Sequence, residues 1–215
     1  SIIIPCYNEK KTVIKIVNQI KNLKKIKKQI ILIDDGSNDG TRQLIKKKLH
    51  NKLDQIIFHR INKGKGAAII SAIKYIKGNL VIIQDADLEY NPEDYVKLID
   101  PINKFGAEVV FGSRFKGSDA KRIIYFKNRV ANFVLSLIVS FVTNINFSDV
   151  ETGYKVIKSD IFKGLNLTEN SFAIEIEITM KLAKKKLKFY EVGVSYNGRT
   201  FEEGKKIKTI DGLIA

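Results

Sequence analysis

The chain contains very little cysteine, histidine and proline. Its 215 residues include one cysteine (Cys6), two histidines, three prolines and no tryptophan. A single cysteine excludes an internal disulfide framework and a cysteine-based zinc site, and two histidines argue against a histidine-rich metal site. Modest glycine, scarce proline and the lack of a fixed-period repeat exclude collagen-like, solenoid and proline-rich linker chains.

Long apolar runs are also missing. No stretch reaches the roughly 18 to 20 apolar residues that a membrane-spanning helix needs. The opening segment 1–5 indicates a strand rather than a secretory signal, and the lack of an initiator methionine predicts that residues precede it. With 44% hydrophobic and 28% charged residues, the composition is that of a globular protein and not of a disordered or fibrous one.

Basic residues outnumber acidic residues by 38 to 23, which gives a net charge of +15. Such a charge suits either nucleic acid or an anionic membrane surface. Only six of the basic residues are arginine, and the chain is rich in lysine, isoleucine and asparagine. An A/T-biased genome produces this pattern without functional meaning. Because no nucleic-acid-binding motif accompanies the charge, we expect no nucleic-acid partner.

Apolar runs and helical patterns alternate over the first half of the chain. They predict strands at 1–4, 29–33, 55–59, 80–84 and 109–111, separated by helices. This alternation is typical of a mostly parallel sheet with helices on both faces. Ligands bind beyond the carboxyl ends of the strands in such sheets. The polar segments that follow the strands are therefore the candidate binding segments.

The second half is less regular. An apolar run at 130–143 is broken only by Asn132, Ser136 and Ser140, and a helix at 172–186 and a strand at 188–196 follow it. A basic, glycine-containing loop is predicted at 197–208. No linker separates the two halves, so we predict a single domain over residues 1–215 with a C-terminal elaboration.

Paired carboxylates follow the predicted strand at 80–84. Asp85-Ala86-Asp87 comes directly after it, and Glu89 can point the same way as Asp87. Carboxylates at a strand end suit a hard divalent cation that also bridges to a diphosphate. The alternative interpretation of an isolated D-x-D segment is a helix cap or a turn.

Two other strand ends are polar. Asp34-Asp35-Gly36-Ser37 offers acceptors for base N–H groups or ribose hydroxyls, although a turn capped by Asp39 explains it equally well. Asn62-Lys63-Gly64-Lys65-Gly66 is similar to a phosphate cradle, but it matches neither the P-loop nor the Rossmann glycine fingerprint. A loop with solvated lysines is its alternative interpretation.

Together and in order, these segments resemble the family-two glycosyltransferases, which have a GT-A fold. The matching segments are Ile2–Glu9, Asp34–Thr41, Asn62–Gly66 and Asp85–Asp87. A closer resemblance is to the polyprenyl-phosphate sugar synthases, the dolichyl-phosphate mannose and glucose synthase group. The segments that support it are Asp85–Glu93, Gly112–Arg114, Asp149–Lys155 and Tyr196–Thr200. This resemblance implies a nucleotide-sugar-binding half at 1–115 and an acceptor- and membrane-facing half at 116–215.

The resemblance also implies roles for individual residues on the donor side. The residues that would hold the base and ribose are Pro5, Tyr7, Glu9 and Asp35, and the donor site would also include Asp34 and Lys65. The residues that would serve the sugar diphosphate and a Mg²⁺ or Mn²⁺ ion are Asp85, Ala86, Asp87 and Glu89. The group often has glutamine where this chain has Glu89; a carboxylate there still ligates but adds a negative charge.

On the acceptor side, the resemblance implies that Arg114 and Arg129 bind a lipid phosphate, with Arg122 as an alternative to Arg129. Arg199 would also serve the acceptor phosphate, from a mobile loop that closes over the site. Asp85, Asp87 and Arg114 are the expected catalytic residues.

The implied reaction is inverting transfer of a hexose from GDP-mannose or UDP-glucose to a polyprenyl phosphate such as dolichyl or undecaprenyl phosphate. A lipid phosphate is already ionised near neutral pH, so positioning by arginine matters more than proton transfer. The alternative acceptor is a hydroxyl of diacylglycerol or of a growing glycan. Such a hydroxyl needs a general base, and the sequence offers no clear one.

The apolar run at 130–143 has two interpretations. As a helix of 14 residues it is roughly 21 Å long and too short to span a bilayer. It is either an in-plane helix at the membrane interface or a buried core helix. We predict the interfacial helix, and with it peripheral attachment to the cytosolic face of a membrane. The alternatives are attachment through a missing tail or through a membrane-anchoring partner subunit.

Overall fold

The computed structural model describes residues 1–117, 122, 125–200 and 202–203. Within these residues seven strands form one sheet in the order β3-β2-β1-β4-β6-β5-β7. The strands are β1 (Ile2–Cys6), β2 (Ile30–Asp34), β3 (Gln55–Phe58), β4 (Leu80–Ile83), β5 (Val109–Ser113), β6 (Lys155–Lys158) and β7 (Phe189–Gly193). All neighbouring pairs are parallel except those of β6, which confirms the mostly parallel sheet.

Seven α-helices accompany the sheet in the described part of the chain. They are α1 (Val13–Asn22), α2 (Thr41–Leu44), α3 (Lys65–Ala72), α4 (Tyr95–Phe105), α5 (Phe126–Thr143), α6 (Ser159–Lys163) and α7 (Ile174–Ala183). A π-helical turn (Ile45–Leu49) and a 3-10 turn (His50–Lys52) extend α2. Other 3-10 turns are Ile73–Tyr75 after α3 and Pro92–Asp94 before α4.

The isoleucine-rich central strands are buried on both faces. Along β1, Ile2 and Ile4 pack into one core cluster and Ile3 into the other, as the two-residue period of a strand requires. Helix α1 covers the first cluster, while α3 and α7 cover the second. The helices on both faces are therefore confirmed.

Strand β6 was not predicted. It lies between β4 and β5 and is antiparallel to both. Its sequence is Lys-Val-Ile-Lys, so only two apolar residues mark it, and the lysine at its start is fully buried. A buried lysine in a central strand is exceptional, because it needs a charged partner from elsewhere in the fold.

The apolar helix starts earlier than expected. Helix α5 has 18 residues, about 27 Å, because the N–H groups of Asn128 and Arg129 already donate to the Tyr125 carbonyl. Even so, no helix among the described residues combines the length and apolarity that crossing a bilayer requires. The other late elements are shorter than predicted: α7 ends at Ala183 and β7 at Gly193. Part of the predicted loop 197–208 lies outside the described residues.

Candidate active site

The carboxyl ends of β1 and β4 meet at the same edge of the sheet. Glu9 follows β1, and Asp87 and Glu89 follow β4. The Arg199 guanidinium joins them: its Nη2 atom lies 3.2 Å from Glu9 Oε1 and 3.2 Å from Asp87 Oδ2, and its Nε atom lies 3.4 Å from Glu89 Oε1. The structure therefore gathers carboxylates that are far apart in the sequence. We call Glu9, Asp87, Glu89 and Arg199 the carboxylate cluster.

The carboxylate cluster has more negative than positive charge. Three carboxylates face the single guanidinium of Arg199, which leaves an excess of two negative charges when all three are ionised. Burial, and next the charges of Asp85 and Glu89, raise the pKa of Asp87 to about 7. This charge excess and the carboxylate oxygens fit a hard divalent cation such as Mg²⁺ or Mn²⁺. Among the residues with described positions, no three His, Cys, Asp or Glu side chains form a metal-binding group by themselves.

A second group of charges surrounds Lys65 at the start of α3. Its Nζ atom lies 2.7 Å from Asp85 Oδ1 and 3.0 Å from Glu175 Oε1. Burial alone lowers the pKa of Lys65, but the charges of Asp85 and Glu175 outweigh it and raise that pKa. The ammonium is therefore held charged beside Asp85.

Glu175 and Lys155 complete this group. The sequence analysis included Lys155 in the segment Asp149–Lys155 without giving it a role, and it did not identify Glu175. The fully buried Lys155 ammonium pairs with Glu175 and donates to the carbonyls of Val150 and Thr152. Burial disfavours the charged form of Glu175, but the ammonium groups of Lys155 and Lys65 outweigh it and lower its pKa. The available sequence signal was a charged residue inside each of two apolar runs, on β6 and α7.

Asp34 and Asp35 have different surroundings. Asp34 is fully buried, and its Oδ2 atom accepts from Arg42 Nε at 2.6 Å. Asp35 Oδ1 accepts from His59 Nδ1 at 2.6 Å and from the Lys63 N–H at 2.9 Å, and its Oδ2 accepts from the Gly64 N–H at 2.8 Å. Asp35 therefore ties the end of β2 to the loop before α3. His59 was not identified from the sequence.

The expected phosphate cradle at 62–66 is not formed by its backbone. The N–H groups of Gly66 and Ala67 donate to the Asn170 carbonyl, and those of Lys63 and Gly64 donate to Asp35. The glycines serve close packing instead, because a Cβ atom on Gly64 would lie 2.2 Å from the Asn170 oxygen. The charged group that this loop brings to the strand end is the Lys65 ammonium, rather than a ring of N–H groups.

Arg114 and Arg129 lie beside the same aromatic ring. Their guanidinium carbons are 5.6 and 5.9 Å from the centroid of Phe115, within the range of a cation–π contact. Arg114 is held by buried Asp149, whose Oδ2 and Oδ1 atoms accept from its Nε and Nη2 at 2.8 and 2.6 Å. We call Arg114 and Arg129 the arginine pair. The alternative residue Arg122 instead donates to the Gly198 carbonyl and pairs with Glu203.

Tyr196 connects the arginine pair to the carboxylate cluster. The Arg114 guanidinium lies 5.4 Å from the centre of the Tyr196 ring, and the Tyr196 hydroxyl donates to Glu89 Oε2 at 2.5 Å. The cationic and anionic groups are therefore neighbours. Arg199 does not join the other two arginines, since its contacts are with the carboxylates. Pro5 and Tyr7 are half-buried at the end of β1, and Ala86 is buried between the two aspartates.

Helix α5 presents its apolar side chains outward. The side chains that it buries are Asn132, Ser136 and Val139. Asn132 Nδ2 donates to Asp149 Oδ1 at 2.9 Å, so the polar stripe packs against the residue that holds Arg114. The exposed side chains form what we call the apolar α5 face: Phe126, Val130, Phe133, Val134, Leu137, Ile138, Phe141 and Val142. The buried-core interpretation of this helix is therefore wrong.

Comparison with known proteins identifies the family. The model of "Glycosyl transferase family 2" matches residues 1–165. The chain belongs to this family of glycosyltransferases. It is similar in fold to glucosyl-3-phosphoglycerate synthase from Mycobacterium tuberculosis, solved with Mn²⁺, uridine diphosphate and phosphoglyceric acid. That match has a TM-score of 0.70 at 17% identity and covers 94% of this chain and 72% of the other. The GT-A fold expected from the sequence is confirmed.

Similar sequences of known name include sugar transferases that are named for dolichyl phosphate. The chain is 28% identical over 214 residues to the dolichol-phosphate mannosyltransferase of Pyrococcus furiosus, covering 98% of this chain and 60% of that protein. It is 28% identical over 211 residues to the UDP-N-acetylglucosamine–dolichyl-phosphate N-acetylglucosaminyltransferase of Methanococcus voltae, with coverage of 90% and 83%. It is 29% identical over 199 residues to glycosyltransferase AglJ of Haloferax volcanii, with coverage of 92% and 63%. The resemblance to the polyprenyl-phosphate group is thus confirmed.

Proposed function

We propose that this chain is an inverting hexosyltransferase that moves a hexose from a nucleotide sugar, GDP-mannose or UDP-glucose, to a polyprenyl phosphate. The observation on which this depends is the arginine pair beside Phe115, which Tyr196 joins to the carboxylate cluster. A cationic site for an anionic acceptor thereby adjoins an anionic site for a metal-bound diphosphate. Residues 1–115 then form the donor half and residues 116–215 the acceptor half.

On the donor side, Asp85, Asp87 and Glu89 would hold a Mg²⁺ or Mn²⁺ ion. When bound, such an ion stabilises the negative charge that develops on the departing diphosphate. Lys65 is held beside Asp85 by Glu175, and from there its ammonium contacts the same diphosphate. Pro5, Tyr7, Glu9 and Asp35 surround the nucleoside, while buried Asp34 supports the turn through Arg42.

On the acceptor side, Arg114 and Arg129 orient the polyprenyl phosphate. An oxygen of this phosphate attacks the anomeric carbon as the bond from that carbon to the diphosphate oxygen breaks, and the configuration inverts. The attacking oxygen is ionised near neutral pH and needs no general base. Asp149 holds Arg114 through two hydrogen bonds, so this guanidinium is positioned before the acceptor arrives.

The apolar α5 face supports a lipid acceptor. Its Phe126, Phe133 and Phe141 side chains are 77%, 65% and 88% exposed, on the helix whose other side packs against Asp149. Burying such rings at a membrane interface is favourable, and basic residues nearby add attraction to anionic lipids. We therefore propose peripheral binding to the cytosolic face of a membrane. A membrane-anchoring partner subunit fits the same surface.

Transfer of labelled sugar tests the reaction. The purified chain is incubated with UDP-glucose or GDP-mannose and a short polyprenyl phosphate, with Mg²⁺, with Mn²⁺ and with EDTA. We expect label in the lipid phase only with metal. Asp87→Asn should lower the rate at saturating donor by about 100-fold or more, since the metal's charge stabilisation amounts to several kcal/mol. The matched control is Asp100→Asn, which changes an exposed aspartate on α4.

Three outcomes would contradict the proposal. Full activity of Asp87→Asn at saturating donor would remove the metal role of that residue. Transfer to diacylglycerol or a glycan, but not to the lipid phosphate, would assign a hydroxyl acceptor. Binding of nucleotide sugar without transfer to any of these acceptors would indicate another acceptor or an essential partner subunit.

A further inference from the structure

We infer that Asn132 on α5 is a positioning residue for the acceptor phosphate, because its side-chain amide keeps the Glu151 carboxylate off the arginine pair. The inference rests on the proposed function, in which Arg114 and Arg129 bind that phosphate. It assigns roles to two side chains, those of Asn132 and Glu151, to which the sequence analysis gave none.

The Asn132 amide joins two carboxylates. Its side chain is buried, and its Nδ2 atom lies 2.9 Å from Asp149 Oδ1 and 3.0 Å from Glu151 Oε2. Each of the two N–H bonds of the amide is therefore used by one carboxylate. Ser136 Oγ donates to Asn132 Oδ1 at 3.2 Å and holds the other end of the amide. Since an ionised carboxylate only accepts, these contacts permit one orientation of the amide.

Glu151 is one contact removed from the arginine pair. Asp149 Oδ1 accepts from Arg114 Nη2 at 2.6 Å and from Asn132 Nδ2 at 2.9 Å. The Asn132 nitrogen thus links the Glu151 carboxylate to the same oxygen that holds the Arg114 guanidinium. Glu151 is half-buried, and the amide gives it a fixed hydrogen-bond donor in place of a guanidinium.

The charges show why this restraint matters. When ionised, Arg114, Arg129 and Asp149 together carry one net positive charge, which is what an anionic acceptor meets. A second carboxylate at the arginine pair would cancel that charge and compete with the phosphate for the guanidinium donors. Because an amide is neutral, Asn132 satisfies Glu151 without adding a further charge. Loss of the amide should release Glu151 towards Arg114.

Steady-state transfer to a short polyprenyl phosphate tests the inference. In Asn132→Ala we expect the KM for the lipid phosphate to rise by at least about tenfold, as when one charge-assisted hydrogen bond is lost. The KM for the nucleotide sugar should stay near the wild-type value. The matched control is Ser140→Ala, which removes a hydroxyl on the same polar side of α5 that contacts the Phe147 backbone. It should leave both KM values unchanged.

A second substitution separates positioning from a general structural effect. Glu151→Gln, added to Asn132→Ala, should restore the KM for the lipid phosphate to near the wild-type value, because glutamine carries no charge to compete with it. A merely structural role of Asn132 gives no such rescue. If Asn132→Ala does not fold, Asn132→Ser takes its place with the same expectations.

Two results would overturn the inference and leave the proposed function standing. One is an unchanged KM for the lipid phosphate in the folded Asn132 variant, and the other is a raised KM that Glu151→Gln does not restore. If the wild-type chain transfers no sugar to the lipid phosphate, the proposed function and the inference both fail.

Discussion

The side-chain nitrogen of Lys65 lies 2.7 Å from a carboxylate oxygen of Asp85. Lys65 begins α3 and Asp85 follows β4, so this ion pair fixes two elements at the edge of the sheet where the donor is proposed to bind. Glu175 on α7 holds the same ammonium, and buried Lys155 on β6 holds Glu175. Three charged side chains, Asp85, Glu175 and Lys155, thus fix one position of the Lys65 side chain.

Replacing Lys65 by methionine should both destabilise the fold and weaken donor binding. The change leaves buried Glu175 with one of its two cations, and removing a partner from a buried pair costs about 3 kcal/mol. Chemical denaturation measures this loss, and the KM for the nucleotide sugar should rise. Lys63→Met, at an exposed lysine two residues away, is the control. Unchanged stability and unchanged KM would show that the Lys65 ion pairs have no such role.

Replacing Arg129 by alanine should weaken binding of the acceptor without unfolding the protein. Arg129 is exposed and lies over Phe115, so its loss leaves no buried charge, whereas loss of Arg114 would strand buried Asp149. A charge-assisted hydrogen bond contributes about 1.5 to 3 kcal/mol, so the KM for polyprenyl phosphate should rise by at least about tenfold. Lys127→Ala is the matched control on the same helix. A KM that rises equally in both variants would indicate general electrostatic attraction rather than a phosphate ligand.

Replacing Phe141 by aspartate should reduce membrane binding. Phe141 is 88% exposed and belongs to neither core cluster, so its replacement should change the free energy of unfolding little. At a membrane interface, however, the loss of this buried ring would weaken binding by about 1.5 to 3 kcal/mol. Co-sedimentation with anionic vesicles should fall by about tenfold or more, and the melting temperature should stay near the wild-type value. Val96→Asp changes an exposed apolar residue on α4 and serves as the control. A wild-type chain that stays in the supernatant would refute membrane binding by this face.

The stability of the protein should depend on Glu177 in acid. Burial opposes ionisation of this carboxylate, but Lys181 and hydrogen bonds from Thr168 and Glu169 outweigh it and lower the pKa of Glu177 to about 2. Because the folded pKa lies below the ordinary value of 4.5, the stabilisation is complete above pH 4.5 and is lost as the pH falls towards 2.

Denaturation curves at several pH values check this dependence. The free energy of unfolding should fall less steeply between pH 4.5 and 2 in Glu177→Gln than in the wild type. Glu93→Gln, at an exposed glutamate, should follow the wild-type curve. Parallel curves for Glu177→Gln and the wild type would contradict the lowered pKa.

The sequence by itself determined six of the seven described strands, all but β6, and the polar segments that follow them. The apolar run Ile2–Ile4 indicates a buried strand, and the polar segment Asp85–Asp87 indicates the end of one. Both are local signals, because a few neighbouring residues are enough to form them. The order of these segments was enough to indicate the family. The predicted bounds of α5 and β7 were less accurate, because fraying and tertiary packing determine where a helix or strand ends.

Only the tertiary structure decided which charges meet. Arg199 contacts Asp87 across 112 positions, and Arg122 turns to Glu203 while Arg129 joins Arg114 at Phe115. Buried Lys155 on β6 pairs with Glu175, and no local pattern in the sequence identifies that partner. Likewise, the apolar α5 face is exposed because the opposite, polar side of the helix packs against Asp149 through Asn132. Contacts of this kind depend on the whole chain path, and a window of neighbouring residues does not contain that information.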